Sequence, residues 1–89
     1  MTVDAIANLL REAIADSRRL RATIAEVQRL VWAEKVDGTE KEKAVLADLA
    51  LDLDYFEPDP AARKEDASFF GEERAISEIR AALEKLRLS

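Results

Sequence analysis

The chain contains no cysteine and no histidine among its 89 residues. Without cysteine, neither a disulfide nor a thiolate metal site can form, and nothing indicates an oxidising compartment. Without histidine, the common Ser-His and Cys-His nucleophiles and histidine-containing zinc sites are excluded. Carboxylates remain as possible metal ligands, but their spacing matches no EF-hand loop. We therefore expect no cofactor, no bound metal and no enzymatic activity.

Long apolar runs are also missing from the sequence. No window approaches the roughly 18 apolar residues of a membrane span. Residues 1–10 lack the basic start and the continuous apolar run of a signal peptide. These features predict a cytoplasmic protein.

Basic residues are scarce where the acidic residues are most frequent. The net charge is −5, but residues 37–66 carry ten carboxylates against four basic side chains, a net of −6. A nucleic-acid-binding protein needs a basic face that displaces counterions from phosphate, so we expect no nucleic-acid partner. An anionic membrane surface is disfavoured for the same reason. The basic cluster Arg18, Arg19 and Arg21 is interpreted as a solvated face that pairs with Glu12, with Asp16 and with the acidic residues of the middle third.

Glycine and proline are rare, with two of each, which favours long helices. Apolar residues recur at helical spacings from Ile6 to Val31, and these spacings predict either one helix over residues 3–35 or two helices. A single rod would be roughly 48 Å long, too long for a domain of this size. Asp16 and Ser17 are good helix-capping residues, so we favour a break there. The whole chain, residues 1–89, is expected to form one domain.

The remaining capping and helix-breaking residues predict two further helices. Thr39 and Glu42 have the spacing of a capping box, and Gly38 before them is expected to adopt a positive φ. The helix that starts near Glu40 should continue to Phe56, since Pro58 stops it. Residues 58–71 form a connection with one short turn near residues 61–64, and a last helix follows Gly71. The sequence thus predicts an all-α fold with four helices, or three if residues 3–35 are unbroken.

The most distinctive stretch runs from residue 48 to residue 59 and contains no Lys or Arg. Its five carboxylates, here called the acidic ridge, are Asp48, Asp52, Asp54, Glu57 and Asp59. Like charges this close repel one another, so the ridge favours an external cation. A protein that binds a basic partner would present such a surface.

Two apolar side chains, Leu51 and Tyr55, lie on the same helical face as Asp48 and Asp52. The simpler interpretation buries Leu51 and Tyr55 against a second neighbouring helix. The alternative is an interface with an aromatic anchor inside an acidic patch. Trp32 is expected at the edge of the core, and at least one of Phe69 and Phe70 inside it.

The run Tyr55-Phe56-Glu57-Pro58-Asp59, followed at a similar distance by a closing helix over residues 78–86, resembles the C-terminal half of the colicin D immunity proteins. The resemblance covers about residues 45–88. It implies a small antiparallel four-helix bundle that inhibits a toxin nuclease domain which cuts tRNA in the anticodon loop. Family members place acidic side chains in the basic active site of the nuclease, where tRNA phosphates would lie.

The resemblance also implies binding residues. Asp54, Glu57 and Asp59 stand at matching positions and would mimic phosphates. Further contacts are expected from the rest of the helical face and from the following connection, namely Asp48, Asp52, Tyr55, Glu65 and Asp66. The implied partner is a cognate, basic toxin nuclease domain, and the free protein is expected to be monomeric.

Two other hypotheses remain open. The first is a non-enzymatic dimerisation or adaptor module, which would associate through the apolar stripe of residues 6–31 and keep the acidic face solvated. The second is an enzyme that uses carboxylates and a divalent metal.

Overall fold

The structure is a computed structural model that describes residues 1–87. Five helices follow one another: α1 Val3–Ala15, α2 Leu20–Trp32, α3 Glu40–Leu53, α4 Pro60–Arg63 and α5 Glu72–Arg87. A 3₁₀ turn, Ser17–Arg19, lies between α1 and α2. Apart from two isolated bridges, no β-structure occurs over residues 1–87. The prediction of an all-α fold is confirmed.

The predicted break in the first helical region is also confirmed, and Asp16 produces it. Asp16 adopts an extended conformation, with φ −136° and ψ 97°, which ends α1. Its Oδ1 atom accepts a hydrogen bond of 3.2 Å from the amide of Arg18, so it caps the 3₁₀ turn. The Arg18 guanidinium donates to the same carboxylate, and this bond lowers the pKa of Asp16 below its ordinary value of 3.8.

The start of α3 was predicted correctly, since Thr39 and Glu42 form the capping box. The expectation for Gly38 was wrong, because the residue with positive φ is Glu34, at 57°. Glu34 and Lys35 donate their amides to the carbonyls of Val31 and Leu30, the Schellman pattern that ends α2. Gly38 is instead required for space, because a Cβ atom there would overlap the Val3 side chain.

One hydrophobic cluster joins the four long helices. Helix α3 contacts α2 and α5, and α1 contacts the same two helices from the other side. The largest fully buried side chains are Ile6, Leu10, Leu20, Val27, Leu46, Leu53 and Ile79. The apolar stripe of residues 6–31 therefore builds the core. It is not the free dimerisation surface that one of the open hypotheses required.

Other expectations about the core had mixed outcomes. Phe70 is half-buried and packs against the core, as predicted. Trp32 is 56% exposed, so its placement at the edge of the core was wrong. Within the described chain, no helix combines the length and the apolar character needed to cross a bilayer.

Candidate functional site

The acidic ridge begins on α3, which ends at Leu53 and not at Phe56 as predicted. Beyond Leu53, the amides of Asp54, Tyr55 and Phe56 donate to carbonyls three residues earlier, which tightens the chain into turns. The Nε2 atom of Gln28 on α2 donates 3.0 Å to the carbonyl of Ala50. This side chain satisfies a carbonyl that the end of the helix leaves without an intrahelical donor. Packing against α2 thus fixes where α3 stops.

The segment after α3 is held by the residue before α5. The Glu57 amide donates 2.9 Å to the Phe70 carbonyl, and the Phe70 amide donates 3.0 Å to the Tyr55 carbonyl. The Arg74 guanidinium lies 5.2 Å from the centre of the Phe70 ring, within the range of a cation–π contact. Two backbone bonds and one stacked cation therefore fix the middle of the acidic ridge before any partner binds.

Glu57 and Asp59 have local roles in the free protein. Glu57 is half-buried, and its Oε1 atom accepts a hydrogen bond of 3.1 Å from the Asp59 amide. Asp59 caps α4, since its Oδ1 atom accepts a hydrogen bond of 3.0 Å from the Ala61 amide and Pro60 follows as the first helical residue. These bonds orient both carboxylates and leave Asp59 exposed.

The other three carboxylates of the acidic ridge have no comparable local role in the fold. Asp48, Asp52 and Asp54 are exposed, and the last turn of α3 contains no basic residue. Over residues 1–87, no Arg forms a salt bridge with a carboxylate of the ridge, although Arg21, Arg74 and Lys85 line the adjoining grooves. A negative charge near the C-terminal end of a helix is unfavourable, by about 0.3–1 kcal/mol. Asp52 and Asp54 therefore oppose the stability of the helix that they end.

The acidic ridge has two sides. Asp48 and Asp52 line the groove between α3 and α5, and Asp52 also lines a neighbouring groove with Tyr55 and Arg74. Asp54 and Glu57 line a different groove, which includes Arg21 of α2. The structure thus places the predicted residues around one end of α3, but on opposite flanks of that helix.

Leu51 and Tyr55 are exposed, at 61% and 45%. The expectation that a second neighbour buries them is wrong. Helix α3 turns Leu46, Leu49 and Leu53 toward α2 and α5, and no other helix in residues 1–87 covers the opposite face. The end of α3 therefore presents apolar side chains among carboxylates.

The two acidic residues of the connection lie apart from the ridge in sequence. Glu65 and Asp66 are both exposed. The Oδ1 atom of Asp66 accepts a hydrogen bond of 2.8 Å from the Ser68 amide, which turns the chain toward α5. Ser68 lines the same groove as Asp52 and Tyr55. Asp66 thus shapes the border of the site by a local bond.

Sequence reasoning missed Gln28, Phe70 and Arg74, which position the site. Gln28 and Phe70 lie far along the chain from the residues they bond, and Arg74 acts through the ring of Phe70, four residues before it. No local motif marks any of the three. The prediction for the basic cluster is confirmed for Arg18 and Arg19, which pair with Asp16 and Glu12. These pairs keep the arginines of the α1–α2 junction next to nearby carboxylates.

Comparisons of the chain with protein-family models, with curated proteins and with solved structures each find no match.

Proposed function

We propose that this protein is an immunity-type inhibitor that fills the basic active site of a tRNA-cleaving toxin nuclease domain with the acidic ridge. Its four long helices would form the antiparallel bundle implied by the resemblance to the colicin D immunity proteins. The proposal makes the protein a stoichiometric inhibitor and not an enzyme.

One observation carries the proposal: the negative charge at the end of α3 is unfavourable for that helix, and over residues 1–87 no Arg forms a salt bridge with it. Asp52 and Asp54 lie where a helix prefers Lys or Arg. Natural sequences depart from local preference mainly at functional sites, where stability is given up for binding. A partner that supplies cations at this point would remove the conflict.

The chemistry of a tRNA-cutting active site fits that requirement. Such a site must be basic to hold phosphates, so an acidic ridge would be attracted to it from a distance. Electrostatic steering raises association rate constants toward roughly 10⁸–10⁹ M⁻¹s⁻¹ at low salt. A protein that protects a cell against a nuclease needs this speed.

The order of the ridge in the free protein also supports tight binding. The segment from Tyr55 to Glu57 is held by Phe70, and Asp59 is held by α4. A loop that is already ordered loses little conformational entropy when it docks. Each buried carboxylate must then meet an Arg or a Lys, because an unpaired buried charge costs several kcal/mol.

Co-expression with a tRNA-cleaving nuclease domain of the colicin D type tests the proposal. We expect the protein to restore growth and to block tRNA cleavage by the purified nuclease at equal molar amounts. Glu57→Lys should abolish this protection while the helical circular dichroism is retained. Glu84→Lys is the matched control, since it makes the same charge change at an exposed position on α5 and should protect fully.

Two results would count against the proposal. The first is equal protection by Glu57→Lys and the original protein. The second is a complex with the nuclease domain in which residues 48–59 remain as accessible as in the free protein.

A further inference from the structure

The outer face of α3 carries an apolar stripe that begins before the acidic ridge and continues into the turn after Leu53, where Tyr55 lies. Ala44, Ala47, Leu51 and Tyr55 follow one another at spacings of three, four and four, and all four are exposed. Residues at these spacings lie on one side of a helix. The inner side of α3, with Leu46, Leu49 and Leu53, is already buried in the core. Helix α3 is therefore apolar on two opposite faces, of which only one is covered.

A groove adjoins the N-terminal half of the stripe. It has a volume of about 560 Å³ and lies between the end of α2 and the start of α3. Val31 and Val36 line it on one side, and Ala44 and Ala47 of the stripe line it on the other. Because the alanine side chains are short, a second helix can approach the α3 backbone closely along this groove.

Carboxylates border the C-terminal half of the stripe on both flanks. Asp48 and Asp52 lie toward α5, and Asp54 lies toward α2. A segment that covers Leu51 would therefore have acidic side chains along both of its edges, one toward α5 and one toward α2. Positive charges on both of its flanks would compensate them.

We propose that this stripe, with the adjoining groove, docks an amphipathic helix whose flanks carry Arg or Lys. The inference rests on the proposed function, which makes the nuclease domain the partner. It adds the kind of segment through which that partner binds. Apolar anchors at three- and four-residue spacings are the signature of helix-in-groove recognition. The helix docks through Leu51 and Tyr55, while the carboxylates set its orientation.

Charge argues against a second copy of this chain as the occupant. Pairing two outer α3 faces would bring together two acidic regions, each with a net charge of −6 over residues 37–66. Like charges juxtaposed across an interface disfavour the pairing. Leu51 and Tyr55 are the only large side chains in the stripe, which is little apolar area to offset this repulsion.

The test uses two synthetic peptides and no nuclease. One peptide is a helix with leucines at spacings of three and four and arginines on both flanks, and the other has the same composition in scrambled order. Backbone amide shifts of the full chain are followed by NMR as each peptide is added. We expect the patterned peptide to change the amide chemical shifts of Ala44, Ala47, Leu51 and Tyr55. It should bind about tenfold more tightly than the scrambled peptide.

Leu51→Glu separates apolar docking from simple charge attraction. The substitution adds a negative charge next to a basic ligand, so attraction by charge alone would strengthen binding. Apolar docking instead predicts binding weaker by about tenfold, because the anchor is lost. Ala22→Glu on α2 adds the same charge at another exposed position and should leave the affinity for the patterned peptide nearly unchanged.

Three outcomes would overturn the inference. They are equal binding of the two peptides, tighter binding after Leu51→Glu, and a dimer in sedimentation that Leu51→Glu dissociates. The nuclease test decides the proposed function separately. If the patterned peptide fails to dock but the protein protects fully against the nuclease, only this inference is wrong. If the peptide docks but the protein gives no protection, only the proposed nuclease partner is wrong.

Discussion

Asp54 is the residue of the acidic ridge whose charge is least favourable for the fold. It is the C-cap residue of α3, exposed and without an ion pair over residues 1–87. Its negative charge lies next to carbonyls at the negative end of the helix. In a protein selected for stability alone, a neutral or basic residue would be favoured at this position.

Asp54→Asn should therefore stabilise the free protein while it weakens binding to the nuclease domain. We expect the free energy of unfolding to rise by about 0.3–1 kcal/mol, since the unfavourable charge is removed. Urea denaturation at low salt measures this change. Asp4→Asn is the control, because Asp4 lies in the first turn of α1, where a negative charge is favourable. A stability loss in Asp54→Asn would show that the carboxylate is structural.

Glu34 is a second residue that is unfavourable for stability, because its backbone adopts a conformation that favours glycine. Its φ of 57° places it in the left-handed region, where glycine is the usual residue at the end of a helix. Any side chain with a Cβ atom is strained there by roughly 1–2 kcal/mol.

Glu34→Gly should raise the free energy of unfolding by about 1 kcal/mol, because the strain is relieved. Thermal or urea denaturation is the measurement. The neighbouring Lys35→Gly should lower stability, since Lys35 has no positive φ and gains only backbone freedom in the unfolded chain. Equal effects of the two substitutions would contradict the role assigned to Glu34.

The end of α3 depends on α2 through one side chain. Gln28 donates to the Ala50 carbonyl from a half-buried position and so caps α3 from outside. Gln28→Ala should lower the free energy of unfolding by about 0.5–1.5 kcal/mol, the net contribution of such a hydrogen bond. The amides of residues 54–56 should also exchange hydrogen faster, since the turns that follow α3 lose their support.

Thr23→Ala is the matched control for that change, since Thr23 is another half-buried polar residue of α2. It should leave hydrogen exchange at residues 54–56 unchanged. If Gln28→Ala also leaves these amides unchanged, the bond to Ala50 does not hold the end of α3.

The junction between α1 and α2 should respond to acid through Asp16. Its pKa is lowered first by the side-chain bond from Arg18 and then by the bond to the Arg18 amide. A lowered pKa means that the stabilisation is complete above pH 3.8, the ordinary value for this group, and is lost as the pH falls through the folded-state value. Amide chemical shifts of residues 16–19 should therefore titrate below pH 3.8.

Asp16→Asn supplies the comparison for the acid response. The substitution keeps a side-chain acceptor for the Arg18 amide but removes the titrating charge. The shifts of residues 17–19 should then lose this titration. A titration that persists in Asp16→Asn would show that Asp16 is not the group responsible.

Over residues 1–87, local signals such as helix caps and helical spacing predicted most of the helices. The capping box at Thr39 and the break at Asp16 depend on neighbouring residues, so the sequence shows them directly. The helical spacing of Leu46, Leu49 and Leu53 places them on one face of α3, and that face is buried. Helical period and capping chemistry are therefore sufficient for the all-α architecture.

The details of the candidate site could not be predicted in the same way. Periodicity shows that α3 has two apolar faces but not which of them is covered, so Leu51 and Tyr55 were assigned to the wrong environment. The Gln28 side chain and the Phe70 backbone form hydrogen bonds with backbone groups of residues far along the chain. The left-handed conformation at Glu34 arises from how α2 ends against the following loop, where glycine stands four residues later.

The association rate with the tRNA-cleaving nuclease domain, measured by stopped flow over a range of salt concentrations, tests the role of the acidic ridge most directly. We expect the rate constant to fall steeply as salt increases, since screening weakens attraction between the ridge and a basic active site. Glu57→Lys should slow association at low salt, and Glu84→Lys much less. A rate constant that depends neither on salt nor on Glu57 would contradict electrostatic capture by the ridge.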